Sequence, residues 1–152
     1  MPDASLVISI CRGHALIIQI MRSGRIEWMQ RDGGRRLGSV DPERVATFIE
    51  QLRSRELPGG KWVGQRYTGP DAEATGILVR DGDENIVDVA SWHDNFEEDS
   101  RLVATATGIV PLDGRTRDEV LAGQPQAYRE FRQRWDRVMG LIRELVPPEP
   151  HG

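Results

Sequence analysis

The run from His14 to Trp28 restricts the fold more than any other stretch of the chain. It reads His-Ala-Leu-Ile-Ile-Gln-Ile-Met-Arg-Ser-Gly-Arg-Ile-Glu-Trp. Leu16, Ile18 and Ile20 alternate with Ala15, Ile17 and Met21, which is the side-chain period of a β-strand, and only Gln19 interrupts the second set. A strand apolar on both faces is expected in the middle of a sheet, covered on both sides. Ser23-Gly24 supplies a turn, because glycine enters positive φ at little cost, and Arg25 to Trp28 alternates again. The chain is therefore expected to be organised around a β-hairpin.

More strands are expected on either side of it. Ser5 to Cys11 places Leu6, Ile8 and Ile10 on one face. Thr75 to Arg80 and Asn85 to Trp92 flank Asp81-Gly82-Asp83-Glu84, a second hairpin with a strong turn dipeptide. Lys61 to Thr68 reads as a strand weakened by Gly64, which predicts an edge position or a bulge. Leu102 to Pro111 is read as a strand on its Thr, Ile and Val content. Arg35 to Val40, with two arginines, a glycine and a serine, is expected to be a loop.

Two helices stand out. Asp41-Pro42-Glu43 has the form of a helix start, with a capping carboxylate, a proline that needs no N–H partner and an acid near the dipole's positive end. Val45, Phe48, Ile49 and Leu52 follow as one apolar stripe, so a helix is expected over 41–55. Tyr128, Phe131, Trp135, Val138, Met139, Ile142 and Leu145 make a longer stripe, predicting a helix over 126–146 that Pro147-Pro148 stops. A short helix is expected over 118–122. The fold class is thus α+β: a mostly antiparallel sheet of about five to seven strands with two main helices packed on it. Residues 1–148 are read as one domain and 149–152 as a tail.

Composition narrows the function classes. Charged residues make up 29% of the 152 and the net charge is −4. An acidic chain is a poor candidate for nucleic acid, whose binding rests on neutralising phosphates. Trp62 and Tyr67 with Lys61 and Arg66 form only a small stacking set on a strand. No apolar run is long enough to span a bilayer and the N-terminus lacks a basic secretory leader, so no membrane is expected and a bacterial, cytoplasmic setting is. The one cysteine, Cys11, excludes an internal disulfide. Cys11 and His14 have a metal-like spacing, but further ligands would have to come from as far as His93, so no metal or other cofactor is expected. The Asp81 to Asn85 run departs from a calcium loop, with Ile86 where glycine is required and Trp92 where the last glutamate belongs.

The strongest functional candidate is the surface around Trp92, His93, Asp94, Glu97, Glu98 and Asp99, an imidazole, an indole and carboxylates at a strand end. Residues 12–36 lean basic and residues 81–99 are acidic. These regions are expected either to neutralise each other across the sheet or to leave an acidic surface for a basic partner. No phosphate loop, nucleophile elbow, zinc helix or Cys-x-x-Cys is present. The leading expectation is a small non-enzymatic binding or protein-interaction domain. A hydrolase using His93 with a nearby carboxylate is the first alternative. A homo-oligomeric subunit, such as a homodimer joined near Trp62 or along the last helix, is the second.

Overall fold

A computed structural model describes residues 6–12, 15–29, 33–53, 62–68, 74–93 and 101–146. The elements run β1 (Leu6–Arg12), β2 (Ala15–Met21), β3 (Arg25–Met29), β4 (Arg35–Ser39), α1 (Pro42–Arg53), β5 (Trp62–Tyr67), β6 (Thr75–Asp81), β7 (Glu84–Ser91), β8 (Leu102–Ala104), β9 (Ile109–Pro111), α2 (Arg117–Ala122) and α3 (Gln126–Leu145). Seven strands form one sheet in the order β4-β3-β2-β1-β6-β7-β5, and β8 pairs with β9 apart from it. Every pairing in the large sheet is antiparallel except that of β5 with β7. The fold is α+β.

Register explains the core. Ile26, Ile20, Ile8, Val79, Val87 and Trp62 lie opposite one another from strand to strand and are all buried. Two residues along, Trp28, Ile18, Ile10, Ile77 and Val89 form the next row. The stripes of α1 and α3 join these rows in one apolar cluster. Each large side chain so buried contributes about 1.5–3 kcal/mol. The other face of the sheet is different: Ser9, Gln19, Met21 and Leu78 are only half-buried, so β2 is not covered on both sides as its sequence led us to expect. β1, not β2, is the central strand.

Local chemistry sets the element ends. Asp41 Oδ1 accepts the Glu43 N–H at 2.9 Å and starts α1 as read from the sequence. Thr116 and Glu119 form a reciprocal capping box at α2, a signal the sequence carried as Thr-x-x-Glu. Gly24 lies at φ +93°, and a Cβ there would sit 2.0 Å from the Val40 carbonyl oxygen. Only glycine lets the β2–β3 turn approach the end of β4 so closely. No helix among the described residues is long and apolar enough to cross a membrane.

Arg35–Ser39 is a strand, not the expected loop. It pairs with β3 over five successive positions, from Arg25 opposite Ser39 to Met29 opposite Arg35. Its sequence shows no alternation because the strand is exposed on nearly every residue and buries no face of its own.

Candidate functional site

Of the residues singled out in the sequence, Trp92 and His93 are described and both are buried. Asp94, Glu97, Glu98 and Asp99 lie outside the described residues, as does His14. Trp92 follows the end of β7. Its backbone N–H donates to the Tyr67 carbonyl at 3.3 Å, closing β7 against the end of β5. Its indole N–H donates to the Thr105 carbonyl at 3.2 Å, and the Tyr128 hydroxyl donates to the Ala104 carbonyl at 2.9 Å. Two aromatic donors thus dock β8 onto the core, which leaves Trp92 no open face.

His93 meets α3. Its Nε2 lies 2.9 Å from Asp136 Oδ1 and 3.5 Å from Arg132 Nη2, and its ring stands edge-on to Trp135 at 6.1 Å. A carboxylate can only accept, so the proton belongs on Nε2, which donates to Asp136. The imidazole side chain is 6% exposed whereas the Asp136 side chain is 65% exposed. The pair therefore joins the buried end of β7 to the outer surface of α3. Arg132 and Asp136 stand four residues apart on one helix face; here Asp136 accepts from the imidazole, and Arg132 Nη2 lies beside the same nitrogen at 3.5 Å, donor against donor. They also line an open groove of about 330 Å³ with Asp118, Leu121, Ala122, Tyr128, Arg129 and Gln133. Among the described residues that lining holds no serine, threonine or cysteine.

The acidic stretch is largely spent inside the protein over its described part. Asp81 takes Arg22 at 2.8 Å and Arg53 at 2.7 Å, Glu84 takes Arg53 at 3.5 Å, and Asp88 takes Arg66 at 3.4 Å. Arg22, then Arg53, hold the Asp81 carboxyl below the ordinary carboxylate range. The basic 12–36 region reaches the acidic one through Arg22 and Asp81, while Glu84 and Asp88 take Arg53 and Arg66, which lie outside it. Cys11 is half-buried in β1, and no group of metal-ligating side chains occurs among the described residues.

The site that sequence reasoning missed is the outer edge of β4. The Val40 N–H donates to the Gly24 carbonyl at 2.8 Å, which makes that pair a hydrogen-bonded one. Antiparallel pairs alternate between bonded and non-bonded. Counting back along the register, Gly38 and Arg36 bond to β3, and the N–H and C=O groups of Arg35, Leu37 and Ser39 point away from the sheet. Leu37 is 65% exposed, one of two large apolar side chains so displayed among the described residues; the other, Val63, is on β5. Arg35 bridges back to Glu27 at 2.7 Å, whereas Arg25 and Arg36 make no ion pair among the described residues. On the helix-facing side a Cβ at Gly38 would sit 3.1 Å from the ring of half-buried Trp28, so Gly38 puts no side chain over that part of the indole. The signal for this site was negative: a short segment with one leucine between arginines and glycine, matching neither a helix nor a half-buried strand.

No family model matches the chain, and neither a curated protein nor a solved structure matches it significantly.

Proposed function

We propose that this protein is a non-enzymatic protein-interaction domain that works through the edge of β4. The observation that carries the reading is the regular β4 edge, unpaired among the described residues, with Leu37 standing out from it. Sheet edges are normally blunted by charge, bulges, proline or cover, because unpaired backbone groups recruit other strands. β4 carries charge at Arg35 and Arg36, which narrows what can pair with it, but has no bulge in its register and no proline. The test is capture from a lysate with wild-type protein and Leu37→Asp as parallel baits. A partner lost from the variant, with an unchanged melting temperature, supports the reading; identical capture by both sinks it. Neutralising Glu97, Glu98 and Asp99 together asks the same question of the acidic surface. A loss confined to that variant moves the interaction there.

The His93–Asp136 contact favours a second reading, a hydrolase in which Asp136 orients the imidazole and the groove holds substrate. The one hydroxyl in the described lining, on Tyr128, is committed to the Ala104 carbonyl, so water is the nucleophile this reading requires. Turnover of an activated ester that vanishes in His93→Ala supports it. Equal rates in the two proteins dispose of it.

A further inference from the structure

Resting on the interaction reading above, we infer that β4 adds an extended, acidic segment of a partner protein as an eighth strand of the large sheet. The backbone groups of Arg35, Leu37 and Ser39 supply the ladder, the mode by which strand addition obtains its affinity. Side chains then set what fits, and the two faces ask for different things. On the open face the edge presents Arg35, Leu37 and Ser39, with Arg25, Glu27 and Met29 one strand behind. An apolar residue beside Leu37 covers the exposed leucine, and acids on either side of it meet Arg35 and Arg25. On the helix-facing side the edge presents Arg36 and Gly38. A side chain seated above Gly38 lies against the Trp28 ring, and an acid next to it meets Arg36.

Charge decides between a foreign strand and a second copy of this chain. Arg25, Arg35 and Arg36 crowd the edge, and Glu27 offsets one of them. Pairing two β4 edges brings two such clusters together, and juxtaposed like charges disfavour that partner. An acidic strand turns the same cluster into the source of selectivity.

The probe is a short fluorescein-labelled peptide with the core Glu-Val-Val-Glu-Glu, which pairs antiparallel with Ser39 to Arg35, with lysine in place of each glutamate as control, followed by anisotropy. The glutamate peptide is expected to bind tighter than the lysine one by on the order of tenfold or more, and to weaken with salt. Arg36→Glu is expected to reverse the preference. Leu37→Pro removes one outward N–H and none that bonds to β3, so it abolishes binding while the melting temperature holds. Equal affinity for the two peptides, or none for either, overturns the inference. So does a concentration-dependent dimer, measured by native mass spectrometry, that Leu37→Pro dissolves; that outcome assigns the edge to a second copy and leaves the interaction reading standing. A monomer that binds neither peptide and loses no lysate partner on Leu37→Asp overturns both.

Discussion

The two edges of the large sheet are held by opposite means. β5 is held by its side chains. Trp62 is 3% exposed and meets Phe131 edge-on at 5.0 Å, and Tyr67 packs against Phe131 at 4.6 Å and Tyr128 at 5.0 Å. Its backbone pairing with β7 breaks between Val63 and Arg66, with Gly64 at φ +81°. β4 reverses each of these points. Its pairing is unbroken, and its side chains lie almost wholly outside the core. The irregular strand is therefore the one anchored in the core, while the regular strand adds little to it. On the proposed reading, stability and availability are separated onto opposite margins of one sheet.

The widest test of this contrast is Trp62→Ala, which is expected to cost about 3–5 kcal/mol in denaturant unfolding. A cost below about 1 kcal/mol would mean the ring is not what fastens β5. Gly24→Ala comes next. It forces a left-handed backbone and a clash with Val40 at once, for about 1–3 kcal/mol. Its signature should be loss of hydrogen-exchange protection at Arg36 and Gly38 while β5 and β7 keep theirs; even loss across the sheet breaks the idea that β4 depends on that turn.

Acid titration gives a smaller effect. Asp81 ties Arg22, beyond β2, to Arg53 at the end of the helix that follows β4. Its folded carboxyl titrates below the ordinary range, so folding favours the deprotonated form. That stability is whole above the unfolded value of about 3.9 and is lost as pH falls through the lower folded value. Asp81→Asn should flatten this acid limb; an unchanged stability-versus-pH curve would place the limb elsewhere. The smallest effect belongs to Leu37→Ala, expected within about 0.5 kcal/mol of wild type. A clear destabilisation there would show that the leucine packs on the fold and is not held out for a partner. Amide exchange along β4 sharpens the point further, with Arg35, Leu37 and Ser39 fast and Arg36 and Gly38 slow.

How much of this could be read from the chain follows from where each residue finds its partners. The stripes of α1 and α3 and the β2–β3 and β6–β7 hairpins were legible because their signals are local and periodic. β4 was not, because a strand exposed on most of its residues has no pattern to show. The parallel seating of β5 beside β7 was hidden too, since Trp62 meets Val87 across a gap that no local rule spans. His93 was marked as a candidate from its own neighbourhood. Its partner Asp136 stands 43 positions away on a helix whose outer face read as ordinary solvated charge.

The tie between Gly24 and Val40 has a mechanical side. The hydrogen bonds from β4 to β3 run across the strand, so tension applied along it loads them together and does not unzip them one by one. Within two residues the chain passes from Val40 into α1, whose Val45, Phe48 and Leu52 are seated in the core. A partner pulling on this edge would therefore pull against the core through a short path, with the least embedded strand of the sheet as its handle.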